Sequence, residues 1–138
     1  MAANNCEKTP SCGTGVDAHL ARPGGLSYLK IPALDAQQSA TFYEQVLGWK
    51  IRWSETDGPR FEDATGHLIG RWVVGGAISR EPGLLPYFYV HGIDAAVALV
   101  AAHGGEVVKK PYAEGNLWVA TVRDPAGNVI GLWQEGPR

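Results

Sequence analysis

The sequence predicts an α+β fold in which one strand–helix–strand–strand–strand module occurs twice along 138 residues. Three observations carry this. Asp63, Gly66, Ile69, Gly70 and Trp72 recur as Asp124, Gly127, Ile130, Gly131 and Trp133, each 61 positions later, so a closing hairpin is written twice. Asp35 and Asp94, 59 positions apart, each stand where a helix-starting cap belongs, ahead of an apolar run. Gly48 and Gly104-Gly105 then stop those runs. A sheet with a helix on one face leaves its other face uncovered, so two copies packed together are the sensible unit.

Taken in order, Leu26 to Ile31 alternates as a strand, and Pro32 is expected to end it. Asp35 caps the first helix, with Gln38 completing a capping-box pattern. Ala36, Ala40, Tyr43 and Leu47 form its apolar stripe. Trp49 to Ser54 alternates again, and Thr56-Asp57-Gly58-Pro59 is turn chemistry. The first closing hairpin follows, then a linker from Gly75-Gly76 to Leu85. The second half predicts a strand over Leu85 to Val90, an N-cap at Asp94 and a helix from Ala95 to His103. Glu106 to Lys109 reads as a strand, Pro111 to Gly115 as a loop, and Leu117 to Arg123 as the strand entering the last hairpin. There, Asp124-Pro125 sets up a type I turn that Gly127 closes with a positive φ. Module one spans about 25–76 and module two about 85–135, within a single domain over 25–138. Residues 1–24, mixed in composition and without periodicity, are expected to be a flexible tail.

Composition bounds the function. Twelve basic residues against 14 acidic, net −2, give no case for nucleic acid or an anionic membrane as partner. Cys6 and Cys12 both fall in the tail, where a disulfide would staple nothing else. A reduced, cytoplasmic protein is the expectation, and their spacing lacks the second ligand pair of a zinc site. The first 25 residues hold no signal-peptide apolar run, and no segment is long enough to span a bilayer.

Several stretches together resemble the vicinal-oxygen-chelate superfamily of glyoxalase I, bleomycin-resistance proteins, extradiol dioxygenases and lactoylglutathione-lyase relatives. They are Ile31-Pro32-Ala33-Leu34-Asp35, Phe42-Tyr43-Glu44-Gln45-Val46-Leu47-Gly48-Trp49, Gly104-Gly105 and Asp124-Pro125-Ala126-Gly127-Asn128. The resemblance covers Gly25 to Gln134. It implies two βαβββ modules whose mixed sheets curl into half-barrels, with ligand or metal in the shared cavity, and it implies a homodimer. Its metal positions fall on Tyr28 in the first strand, near Leu85 in the second module, and on Gly70 and Gly131 in the closing strands. None is a His, Gln or Glu, so no metal and no other cofactor is expected; a misplacement by two residues would bring in His67 or Glu62.

Glycine inside a strand weakens it by roughly 0.5–1 kcal/mol relative to Ala and calls for a reason. Gly70 and Gly131 serve either close strand packing or an opened cavity. Alternation places Tyr28, Lys30, Trp72, Tyr87, Tyr89 and Trp133 around them on the concave face, with Ile130 and Leu132 against the helices. Such an aromatic concavity suits a planar or apolar small molecule, although each ring singly could be core. Lys30 would hold an anionic group there, or lie at the rim with its ammonium in water. Arg123, sharing a face with Thr121 and Gly131, points at such a group or pairs with Asp124 or Glu135. His19, His67, His91 and His103 read as tail, loop-proximal and helix-end residues. No pattern supplies a nucleophile with its base or a phosphate loop. The ligand-binding candidates are therefore Tyr28, Lys30, Gly70, Trp72, Leu85, Tyr87, Tyr89, Arg123, Gly131 and Trp133. Two functions compete: a metal-free binder of a small aromatic or amphipathic molecule, and a metal-dependent lyase or isomerase whose ligands sit elsewhere.

Overall fold

The computed structural model describes residues 17–138. Most of the tail, with Cys6 and Cys12, lies outside the described residues. Module one comprises β1 (Tyr28–Ala33), α1 (Ala36–Leu47), β2 (Lys50–Arg52), β3 (Arg60–Glu62) and β4 (Ile69–Val74). Module two comprises β5 (Tyr87–Tyr89), α2 (Ile93–Ala102), β6 (Glu106–Glu114), β7 (Leu117–Arg123) and β8 (Val129–Glu135). The sheets run β1-β4-β3-β2 and β5-β8-β7-β6, with β1∥β4 and β5∥β8 parallel and the other pairs antiparallel. These are the two expected βαβββ modules, and neither mixed sheet closes on itself.

α1 forms as its sequence dictates. The Asp35 carboxylate accepts from the Gln37 and Gln38 amides, satisfying two orphan donors, and Gly48 leaves the helix at φ 72°. Its buried face is Ser39, Ala40, Phe42, Tyr43 and Val46; of the predicted stripe Ala40 and Tyr43 lie in it, whereas Ala36 and Leu47 are only half-buried. α2 starts earlier than expected. Its N-cap is Gly92, not Asp94, and the Ile93 amide donates to the Gln134 side chain of β8 at 2.7 Å. Asp94 instead lies in the first turn, its carboxylate on the Arg138 guanidinium at 3.1 Å.

Two prolines lie inside strands, where the sequence predicts a strand end at Pro32 and a loop from Pro111. Pro32 sits inside β1 and Pro111 inside β6, which runs on to Glu114, so 111–115 is not a loop. Both are edge strands, where a missing N–H breaks no ladder, and β6 accommodates its proline within the register shift between Lys109 and Tyr112. Ahead of Gly25, the Leu20 and Ala21 amides close a turn on Asp17, and the His19 carbonyl meets the His67 ring at 3.0 Å.

The helices and the helix-side faces of both sheets share one core. Ile31, Phe61 and Trp72 from module one meet Val122, Ile130 and Leu132 from module two around Phe42, Tyr43, Ile93 and Val100. Tyr43 stacks on Trp49 and Trp49 on Phe61, at ring separations of 4.7 and 4.4 Å, and Trp49 reaches Phe88 of module two at 5.6 Å. The second hairpin loop fastens the modules. Buried Asp124 takes the Ala126, Gly127 and Asn128 amides on Oδ1, and the Tyr43 hydroxyl and Asn128 Nδ2 on Oδ2. Asn128 Nδ2 also donates to the Pro32 carbonyl, and its Oδ1 accepts from the Ser79 amide. Burial, reinforced by the Asp124 charge and hydrogen bond, pushes the Tyr43 phenol well above its ordinary pKa.

The repeated hairpins differ by one residue. Asp63 pairs its amide with the Leu68 carbonyl, five positions on, whereas Asp124 pairs with Asn128, four positions on. Side chains alternate with period two, so this slip sends the matched letters to opposite faces. Gly70 and Trp72 face the helices; Gly131 and Trp133 face outward.

Candidate functional site

With both helix-side faces in the core, each sheet has an outer face turned away from the helices. Cross-strand partners share a face, which gives module one two rows of outward side chains. One row is Lys50, Glu62, Ile69, Tyr28; the next is Arg52, Arg60, Arg71, Lys30. A cavity of about 360 Å³ opens on this face, lined by Tyr28, Ile69, Glu62, Lys50, Arg60 and Arg52, with Ile51, Phe61 and Gly70 also reaching it. Five cations therefore surround one carboxylate. Among the described residues, none of the five forms a salt bridge or a side-chain hydrogen bond with another group.

Module two's outer face is aromatic. Tyr87, Tyr89, Gly131 and Trp133 lie together on it, Tyr89 meeting Trp133 edge-to-face at 4.9 Å and His91 at 5.6 Å. The Tyr87 ring lies over Gly131 where a Cβ would stand, so that glycine holds a ring against the strand. Gly70 likewise answers a close approach: a Cβ there would meet the Leu29 carbonyl and the Phe61 ring. Neither glycine opens a void of its own.

Of the sequence-predicted residues, Tyr28 and Gly70 line the module-one cavity, and Lys30 stands in the adjoining row, exposed. Trp72 is the clear correction. It is 6% exposed and packs in the core beside Tyr43 and Phe61, because the longer first hairpin turned it inward. Leu85 precedes β5 and is half-buried. Arg123 donates to the Gly127 and Arg80 carbonyls and faces Glu106 at 3.8 Å, rather than Asp124 or Glu135. Sequence reasoning missed Lys50, Arg52, Arg60 and Arg71. Their signal was charged residues at alternate positions of short strands, Lys50-Ile51-Arg52 and Arg60-Phe61-Glu62.

The donor set does not suit a divalent metal. Tyr28, Leu85, Gly70 and Gly131 supply one phenol among them, and Arg71, the outward-facing neighbour of Gly70, is a cation. Among the described residues, no three His, Cys, Asp or Glu side chains come together. No helix among them is long and apolar enough to cross a membrane.

The fold has many solved counterparts. A glyoxalase family protein from Bacillus cereus is 19% identical, with a TM-score of 0.66 over 81% of this chain and 94% of that one. A glyoxalase/bleomycin resistance protein from Albidiferax ferrireducens is 21% identical, at 0.64 over 80% and 98%. The fosfomycin resistance protein FosX from Listeria monocytogenes is 17% identical, at 0.64 over 80% and 92%. At such identities the likeness speaks for the fold alone. No curated protein matches the chain. The family model described as Glyoxalase/Bleomycin resistance protein/Dioxygenase superfamily matches residues 25–132. By that match over most of its length, joined to the paired βαβββ modules, the chain belongs to the glyoxalase/bleomycin resistance/dioxygenase superfamily.

Proposed function

We propose that this protein is a metal-free, cytoplasmic member of its superfamily that binds a small aromatic or amphipathic molecule on its outer sheet faces. The observation that carries the reading is the chemistry of those faces. Where a metal enzyme needs carboxylates and imidazoles, this chain has half-exposed tyrosines, a tryptophan and a cavity of small-molecule size. Tyr28 supplies an aromatic wall on module one, and Tyr87, Tyr89 and Trp133 supply one on module two. A homodimer would lay one copy's outer face against another's and complete the cavity from both.

Elemental analysis tests the metal state, on protein purified without chelator and again after soaking in Ni²⁺, Zn²⁺ and Mn²⁺. The expected result is no stoichiometric metal in either preparation. About one tightly held equivalent per chain would sink the reading and favour lyase or isomerase chemistry. A tryptophan-fluorescence screen of aromatic small molecules then tests binding, and Tyr28→Ala and Tyr89→Ala should each weaken any ligand found.

A further inference from the structure

We infer that the row Arg52–Arg60–Arg71–Lys30 is an anion-binding site, and that the molecule bound on module one carries a phosphate-like oxyanion on an aromatic body. The inference rests on the pocket reading above and adds the charge of its ligand. Each cation is the direct cross-strand neighbour of the next, across all four strands. With strands about 4.8 Å apart, the row spans about 14 Å. Like charges placed opposite one another destabilise a sheet, so an unrelieved row of four needs a counter-charge. Among the described residues, none of the four forms a salt bridge: the one carboxylate nearby, Glu62, stands in the neighbouring row, opposite Lys50.

Three of the four are arginines, whose planar forks match tetrahedral or carboxylate oxyanions two bonds at a time. Arg52 and Arg60 of the row also line the module-one cavity, to which Tyr28 and Ile69 give an apolar wall. A second copy is a poor counter-charge. Module two's outer face carries both signs, and Arg123 there already faces Glu106. Nor does the face suit a nucleic-acid track, since the cations form one short row on a chain of net charge −2.

Isothermal titration calorimetry at low ionic strength, with phenyl phosphate, inorganic phosphate, phenol and a short oligothymidylate, tests this on the full chain. Phenyl phosphate should bind tightest, at one site per chain. Arg60→Gln and Arg71→Gln should each weaken phenyl phosphate and inorganic phosphate about tenfold and leave phenol unchanged. Arg138→Gln, on the far contact with Asp94, should change nothing. Both row variants relieve repulsion, so their melting temperatures at low salt should equal or exceed that of the parent protein.

Phenol binding without any preference for phenyl phosphate would overturn the inference and leave the aromatic pocket standing. Phosphate binding with no gain from the ring would keep the row and overturn its aromatic partner. Tighter binding of oligothymidylate, or a lower melting temperature in both row variants, would overturn it as well.

Discussion

At Asp124, one buried carboxylate accepts five hydrogen bonds and joins α1 of one module to the hairpin loop of the other. Every lone-pair direction is used, so the charge is held without a cationic partner. Asp124→Asn turns one acceptor into a donor that faces the Tyr43 hydroxyl and Asn128 Nδ2. The expected cost is about 3 kcal/mol in urea unfolding at constant m, since buried donors lose a charged acceptor. A loss under about 0.5 kcal/mol would mean the carboxylate is incidental to module docking. Tyr43→Phe removes one bond and should cost about 1–2 kcal/mol. The same phenol predicts an alkaline effect. Its pKa is raised in the folded state, first by burial and then by Asp124. The native chain therefore keeps a proton that the unfolded chain releases above about pH 10. Stability from this source is complete below that pH and falls as pH rises beyond it. In absorbance titration, one of the five tyrosines should ionise only as the chain unfolds, and Tyr43→Phe should abolish that late phase. Smooth ionisation of every phenol in the folded protein would contradict this.

The closing strands β4 and β8 show how one loop residue decides what a strand does. Their matching letters lie 61 positions apart, yet the hairpins close on spans that differ by one residue, so the matched glycines and tryptophans face opposite ways. Gly70 is pinned by backbone, the Leu29 carbonyl, whereas Gly131 lies under the Tyr87 side chain, which is 46% exposed and free to swing out. Gly70→Ala should therefore cost about 3 kcal/mol or more, and Gly131→Ala about 1 kcal/mol. Combining Gly131→Ala with Tyr87→Ala should add little to Tyr87→Ala alone, as a double-mutant cycle by denaturation will read. Equal costs at the two glycines would refute the opposed faces. The contrast explains what was legible. Asp35, Gly48 and the Leu117–Arg123 strand were readable because cap and alternation are local. Pro32 and Pro111 were misread because edge status depends on which strand lies alongside. Gly92 was missed because its helix is capped by Gln134, 41 residues away along the chain from the donating amide. The basic row escaped notice because four short segments align only through the sheet register.

At the scale of the whole molecule, the core is spent on joining the modules, and that leaves both outer faces to water. Tyr28, Tyr87 and Tyr89 are each about half exposed there. Apolar side chains gathered on two open sheets are a reason to associate. An isologous pair covers the same patch on each copy at once, which closes the assembly without exposing a further edge. The expected species is thus a homodimer, of twice 14.8 kDa by light scattering at tens of micromolar. Its melting temperature should rise with protein concentration, since the partner binds only the folded chain. Tyr89→Glu sets a charge beside Trp133 on the outer face and leaves the shared core untouched. It should shift the mass toward the monomer while the far-ultraviolet dichroism stays that of the parent. If the parent protein is itself a monomer at 100 µM, with a concentration-independent melting temperature, the outer faces are not copy-to-copy surfaces. Each sheet must then meet its ligand as an open, one-sided face, and the anion row of module one would have to bind without cover.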